Sequence, residues 1–99
     1  MAKYIFTIKS LEDLDEIWEY TCEEWSEEQA DKYYLEHIET CETIAKSQSI
    51  GRKYSHIYKG LYGLPVNKHI IFYRKIETKT IEITRILLGL MDIKSNFEK

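Results

Sequence analysis

"HIIFYRKIETKTIEITRILLGLMD", residues 69–92, is the stretch that decides the fold. Apolar and polar residues alternate in its first part and again after the polar residues Glu77–Lys79. This pattern predicts two β-strands joined by a turn. The alternation slips at Ile86, so we expect a β-bulge near Arg85.

The residues before this stretch extend the pattern. Leu61–Val66 predicts another strand, with Pro65 favouring a position at a sheet edge or near the end of the strand. Asn67 and Lys68 can form a tight turn, because asparagine tolerates positive φ. Together these segments predict a three-stranded meander, and "KYIFTI" (3–8) predicts a separate N-terminal strand.

Two helices are predicted between the first strand and the meander. Ser10 followed by Asp13 is typical of an N-cap with its capping-box partner, and an acidic first turn suits the helix dipole. Apolar residues then recur at helical spacing, and we expect that face to point inward: Leu11, Leu14, Trp18, Thr21 or Cys22, and Trp25.

Ser26 repeats the capping signal, with Gln29 three residues on, and predicts a second helix from Glu27 to about Ser47. The short connection predicts an antiparallel helical hairpin. The fold class is therefore α+β: an antiparallel sheet with the hairpin on one face. In the second helix, the residues expected to face inward are Ala30, Tyr33 or Tyr34, His37 or Ile38, Cys41, and Ile44 or Ala45.

The size and composition are those of a small globular protein. The 99 residues support one domain, 1–99, and a chain of this size buries roughly 65% of its unfolded surface. Its longest apolar run, Ile86–Met91, is too short to span a bilayer, and the N-terminus lacks a signal-peptide core. We expect a cytoplasmic protein without a membrane partner, with Cys22 and Cys41 as free thiols and with no metal or cofactor.

The charge is unevenly distributed. Residues 1–50 hold four basic and thirteen acidic side chains, net −9, whereas residues 51–99 hold ten basic and four acidic, net +6. The positive half also mixes bases with aromatics, at Arg52, Lys53, Tyr54, His56, Tyr58, Lys59 and Tyr62. Such a mixture fits either a nucleic-acid face or a tyrosine-rich strand edge with solvated lysines. We favour the strand edge and expect no specific DNA binding by this chain alone.

Segments spread over nearly the whole chain share the order and spacing of one known family: "LDEIWEY" (14–20), Trp25-Ser26, "EQADKYY" (28–34), Gly51-Arg52, "GLPVNKHIIFYRK" (63–75), "IEITRIL" (81–87) and Asp92. With these segments the chain resembles the ParE branch of the RelE/ParE toxin superfamily. The resemblance implies a bacterial toxin that is held inactive by an antitoxin encoded beside it, and ParE-like members are associated with plasmid stabilisation and growth inhibition. It implies inhibition of DNA gyrase for ParE-like members and cleavage of mRNA in the ribosome for RelE-like ones.

Two positions depart from the pattern of this superfamily. A proline is often found where this chain has Gln48. A histidine and an arginine usually precede the aspartate, where this chain has Leu88 and Leu90 before Asp92. The second departure removes a proton carrier and a cation from the site that RelE-like enzymes use.

RNA cleavage needs a proton acceptor, a proton donor and cations on the phosphate. His69, Arg74 and Arg85 are the candidates, but alternation along a strand places His69 and Tyr73 on one face and Arg74 on the other. A net charge of −3 also gives little affinity for the phosphates of the ribosome. We therefore favour binding over catalysis.

The sequence predicts a toxin that binds a target protein, by resemblance DNA gyrase, and is neutralised by a cognate antitoxin. Arginines beside apolar anchors are typical of interfaces, and an acidic antitoxin segment would be steered to the positive half. That segment would lie across the sheet or beside the hairpin. Two alternatives stay open: a RelE-type endonuclease using His69, Arg74 and Arg85, and a degenerate toxin that only binds antitoxin. The predicted contact residues are Tyr73, Arg74, Arg85, Leu88, Leu90 and Met91.

Overall fold

The computed structural model describes residues 2–89 and residue 97. It has an α+β fold, as predicted, with one five-stranded sheet in the order β1-β5-β4-β3-β2 and a helical hairpin packed on one face. The elements in chain order are β1 (Lys3–Phe6), α1 (Ile8–Glu24), α2 (Glu27–Lys46), β2 (Arg52–Lys53), β3 (Leu61–Val66), β4 (His69–Glu77) and β5 (Thr80–Leu88).

The sheet differs from the prediction in two respects. It is mixed rather than antiparallel, because β1 pairs in parallel with β5 after the hairpin has carried the chain across the sheet. It also contains the two-residue strand β2, which was not predicted and pairs only with Tyr62 and Gly63 of β3. Pro65 lies beyond that short partner, on an open stretch of edge where its missing N–H breaks no ladder.

The predicted bulge is confirmed. Phe72 pairs with Arg85 and Tyr73 pairs with Ile83, so Thr84 is the extra residue on β5. The extra residue brings Ile83 and Ile86, which are three apart in sequence, to the same helix-facing side of the sheet, where both are buried.

The start of α1 is three residues earlier than predicted. The N-cap is Thr7, whose hydroxyl accepts from the Ser10 backbone N–H at 3.1 Å. Ser10 is therefore inside the helix, where its own hydroxyl donates to the Thr7 carbonyl at 2.8 Å. Asp13 makes no capping box, because its carboxylate is bound to β5. Both hydroxyl residues have capping chemistry, and the end of β1 at Phe6 selects the earlier one.

The predicted inward face of α1 is confirmed at Leu14 and Thr21, which are buried, and wrong at Leu11 and Trp25, which are 45% and 75% exposed. The core-facing residues also include Ser10 and Thr21. The Ser10 hydroxyl donates to the Thr7 carbonyl at the N-cap, and the Thr21 hydroxyl donates to the Ile17 carbonyl one turn earlier. Local hydrogen bonds of this kind let polar residues face a core, which hydrophobic periodicity does not detect.

The second helix agrees with the prediction. Ser26 is its N-cap, and the Ser26 hydroxyl accepts from the Gln29 N–H at 3.1 Å. Five of the residues expected to face inward are buried: Ala30, His37, Cys41, Ile44 and Ala45. Cys41 and Cys22 are free thiols, as predicted, and burial raises the pKa of Cys41 to about 12. Among the described residues, neither helix has the length and apolarity that a membrane span requires.

The sheet carries a hydrophobic cluster on each face. The larger one fills the space between the sheet and the helices and includes Leu14, Ile44 and Ile83. The smaller one, on what we call the far face, centres on Phe72 and Leu87. It is covered by aromatic and apolar side chains from the loop after β2 and from the C-terminal region, namely Tyr54, Ile57 and Phe97.

Candidate functional site

The predicted site residues on β4 point to opposite faces of the sheet. Tyr73 faces the helices and is completely buried, with its ring stacked on Tyr62 at a centroid distance of 5.6 Å. Arg74 faces the other way, and its side chain is 38% exposed. A fully buried ring cannot contact a partner, so Tyr73 is removed from the predicted contact surface.

The Tyr73 hydroxyl holds the loop between α2 and β2. It donates to the Gln48 carbonyl at 2.7 Å and accepts from the Gly51 N–H at 3.0 Å. A Cβ at Gly51 would lie 2.4 Å from that hydroxyl, so the close approach requires glycine. Burial raises the pKa of Tyr73, while the hydrogen bond from Gly51 opposes the shift. Tyr73 is a positioning residue for the chain that leads into Arg52.

Arg85 is bound to α1. Its Nε lies 2.7 Å from Asp13 Oδ2 and its Nη2 lies 2.9 Å from Asp13 Oδ1, a bidentate pair with side chains 16% and 10% exposed. Asp13 Oδ2 also accepts the Ile86 N–H at 3.0 Å. The hydrogen bonds that the Arg85 guanidinium donates to Asp13 raise the pKa of Arg85.

This arrangement follows from the short length of β1. The strand pairs with β5 only as far as Ile83, so among residues 2–89 no strand neighbours the backbone of β5 on this side beyond that point. The chain turns there into α1, and Asp13 takes the Ile86 N–H that a longer β1 would have bound. Asp13 was not predicted to bind Arg85, because its position three residues after Ser10 suggested a capping role.

His69 lies against a second histidine in the helix-facing layer. Its ring centroid is 5.7 Å from that of His37, a fully buried residue of α2 whose Nδ1 donates to the Tyr33 carbonyl at 2.7 Å. In the part of the chain that the structure describes, His37 Nε2 and His69 Nδ1 have no hydrogen-bond partner. Burial, and secondly the neighbouring His37, lower the pKa of His69 to about 4.

The three candidate groups for RNA cleavage therefore do not converge. His69 points to α2, Arg85 is bound to Asp13 on α1, and Arg74 lies on the far face. There Arg74 pairs across strands with Glu82 at 3.1 Å. General acid–base catalysis needs its groups within hydrogen-bond reach of one reacting centre.

Two described members of the predicted contact set have substantial exposure, Arg74 and Leu88, each 38% exposed. Arg74 lies on the far face, whereas Leu88 pairs with His69 and alternates with the far-face residue Leu87, which places it on the helix-facing side. Leu90 and Met91 lie outside the described residues. Strand β2 and the loop after it, which covers the far face, add exposed groups that periodicity did not identify as part of this surface: Arg52, His56, Tyr58 and Lys59.

A second cationic surface lies at the end of the sheet near the turn between β4 and β5. It is a shallow cleft of about 460 Å³ whose lining includes Lys46, Lys75 and Lys79. The ammonium of Lys75 also lies 4.6 Å from the centroid of the Tyr62 ring, within cation–π range. Lys46 lies in the acidic half of the sequence, but in the fold it lines the same cleft as Lys75 and Lys79 of the basic half. The sequence position of Lys46 does not indicate this cluster of positive charge.

Comparison with known proteins places the chain in a family. Residues 4–93 match the model of the ParE toxin of the type II toxin–antitoxin system parDE. The chain is 30% identical to Toxin ParE1 of Mycobacterium tuberculosis over 95 residues, covering 96% of this chain and 97% of that protein. It is also 30% identical to Toxin ParE1 of Caulobacter vibrioides over 96 residues, covering 97% and 98%. The protein belongs to the ParE toxin family of type II toxin–antitoxin systems.

A solved structure shows the same fold. The structure titled "Chromosomal ParDE TA system from P. aeruginosa" superposes with a TM-score of 0.73 at 22% identity, covering 89% of this chain and 95% of that one. The fold predicted from the resemblance is confirmed by this likeness.

Proposed function

We propose that this ParE-family toxin acts by binding a target protein, and that the target is DNA gyrase. Three separate environments hold His69, Arg74 and Arg85, and this separation supports binding over RNA cleavage. Gyrase as the target rests on the family resemblance. A toxin with this target acts in the cytoplasm, where gyrase and DNA are located.

The proposed contact surface is centred on Arg74, on the far face. Arginine is one of the residues that most often form energetic anchors in protein interfaces. Arg74 keeps more than a third of its side-chain surface in spite of its ion pair with Glu82. Leu88, Leu90 and Met91 stay predicted contact residues on the strength of the sequence, while Tyr73 and Arg85 are assigned to holding the fold.

The cognate antitoxin is proposed to neutralise the toxin by covering this surface with an acidic segment. Three exposed bases lie on or beside the far face: Arg52, Lys59 and Arg74. Complementary charge steers an acidic segment toward them and speeds its association. The lysine cleft near Lys75 and Lys79 offers a continuation of the same field.

The gyrase proposal is tested by a supercoiling assay with purified gyrase and toxin. We expect inhibition by the wild-type chain and a loss of about tenfold or more in potency for Arg74→Glu, as for an interface anchor. Lys32→Glu, which makes the same charge change on the exposed surface of α2, is the matched control and should retain potency. Full supercoiling at saturating toxin would remove gyrase as the target, and mRNA cleavage in a ribosome toeprinting assay would favour the RelE-type alternative.

The antitoxin proposal has a separate test. The toxin is mixed with the protein encoded by the neighbouring open reading frame, and binding is measured by calorimetry at two salt concentrations. Arg52→Glu with Lys59→Glu should weaken binding and reduce its salt dependence, because both bases are solvent-exposed. Unchanged affinity in this double variant would mean that the antitoxin binds another surface of the toxin.

A further inference from the structure

Helix α1 carries apolar side chains on two sides. One side enters the core through Leu14. The other contains Ile8, Leu11 and Trp18, which with Asp15 recur at spacings of three, four and three residues. Ile8 is 79% exposed and Leu11 is 45% exposed. Single exposed apolar residues are ordinary, but a row at this spacing is the stripe that a second helix buries.

The stripe borders a cleft between the two helices. The Trp18 indole N–H donates to Asp31 Oδ1 at 3.0 Å and joins α1 to α2 across the hairpin. The cleft has a volume of about 300 Å³ and lies on the solvent side of the hairpin. It is lined by Asp15, Trp18, Glu19, Asp31 and Tyr34. Leu11 lies one helical turn before Asp15, on the same side of α1.

The chemistry of the cleft selects a cation. Three of its five lining residues are carboxylates, and none is basic. The hairpin around it, residues 8–46, holds thirteen acidic and three basic side chains. Aromatic faces next to carboxylates suit arginine or lysine, whose stem lies on the ring while the charged end reaches the oxygens.

We propose that this groove binds a cationic amphipathic helix of a partner protein. The apolar side of that helix would cover Leu11, Ile8 and the face of Trp18, and its arginines or lysines would pair with Asp15 and Glu19. Helix-in-groove recognition uses anchors at this spacing, and an extended polycation would leave the apolar row uncovered. The groove lies apart from Arg74 and the far face, so it serves a second partner or a second segment of one partner.

The test uses a synthetic 18-residue peptide of leucine, lysine and arginine, patterned as an amphipathic helix and free of tryptophan. The protein carries Trp25→Phe, so that Trp18 is its only tryptophan and reports on the groove. We expect saturable binding by anisotropy of the labelled peptide, together with a change in Trp18 emission. Asp15→Asn with Glu19→Gln should lower the affinity about tenfold, and Leu11→Ser should lower it as well.

The matched control is Glu16→Gln with Glu24→Gln, which removes the same charge from exposed positions of α1 outside the cleft. It should change the affinity less than twofold, with folding checked for every variant by circular dichroism. Equal losses in both double variants, an unchanged Trp18 emission, or equal binding of a scrambled peptide of the same composition would overturn the proposal. The assay contains no gyrase or antitoxin, so its outcome is independent of the proposed function.

Discussion

Arg85 and Arg74 are held in different ways. Arg85 of β5 is 16% exposed and bound through two nitrogens to Asp13 of α1. On the far face, Arg74 is 38% exposed and pairs with Glu82 through one carboxylate oxygen. Both arginines lie late in neighbouring strands, yet one is part of the framework and the other is accessible. Whether a charged side chain holds the fold or is accessible to a partner therefore depends on its burial and its number of hydrogen-bond partners, more than on its residue type.

The largest expected effect is at Asp13. Asp13→Ala leaves the Arg85 charge and the Ile86 N–H without their acceptor in a nearly water-free site. Breaking a buried ion pair from one side costs about 3–5 kcal/mol, so we expect a loss of that order in the free energy of unfolding, measured in urea. Asp15→Ala, two residues on and exposed, should change it by less than about 0.5 kcal/mol. Equal effects of the two substitutions would mean that the buried pair of Asp13 with Arg85 does not hold the fold.

The Tyr73 hydroxyl should come next. Tyr73→Phe keeps the stacked ring but leaves the Gln48 carbonyl and Gly51 N–H without their partner. An unsatisfied buried polar group costs about 1–3 kcal/mol, and urea unfolding should show a loss in that range. Tyr20→Phe is the control, because Tyr20 is 64% exposed. A loss no larger than that of the control would mean that the loop holds its shape without the hydroxyl.

The histidine pair adds a dependence on pH. The pKa of His69 is about 4 in the folded protein and about 6.5 when unfolded, so the unfolded chain binds the proton first. Stability should therefore fall as the pH drops below about 6.5 and continue to fall toward 4. Asp13, the charged group on α1 that acts on His69, opposes the shift, whereas His37 on α2 adds to it.

The measurement is urea unfolding at a series of pH values. His69→Gln should flatten the decline between pH 6.5 and 5, whereas His56→Gln, at an exposed loop position, should leave it unchanged. If the stability of His69→Gln fell with pH as much as that of the wild type, the decline would come from other titrating groups.

Arg74 should give the smallest effect on stability. Exposed ion pairs contribute about 0–1 kcal/mol, so Arg74→Ala should lower the free energy of unfolding by less than about 1 kcal/mol. Arg85→Ala, the same change at the buried ion pair, should cost several times more because it leaves Asp13 buried without its cation. A large stability loss in Arg74→Ala would place Arg74 in the framework and weaken its assignment to a binding surface.

The part of the fold that follows local rules could be predicted from the sequence. The meander, the bulge beside Arg85 and the cap at Ser26 each depend on residues a few positions apart. The burial of Ser10 and Asp13 on α1 could not be predicted, because both are held by hydrogen bonds that apolar periodicity ignores. The parallel pairing of β1 with β5 joins residues nearly eighty apart and leaves no local pattern.

The candidate site shows the same division. Alternation along β4 correctly separated His69 and Tyr73 from Arg74. It did not indicate that Tyr73 is fully buried, because the burial comes from α2 and the loop that begins at Gln48. It also gave no indication that Asp13 would meet Arg85 from 72 residues away.

The sequence by itself determined the class of fold, the family and the separation of charge between the two halves, because periodicity, capping and composition are written in neighbouring residues. Only the tertiary structure decided which arginine is accessible, which tyrosine is buried and which side of α1 faces solvent. Burial and hydrogen-bond partners come from elements distant in the chain, so the same side chain can hold the fold or remain available to a partner.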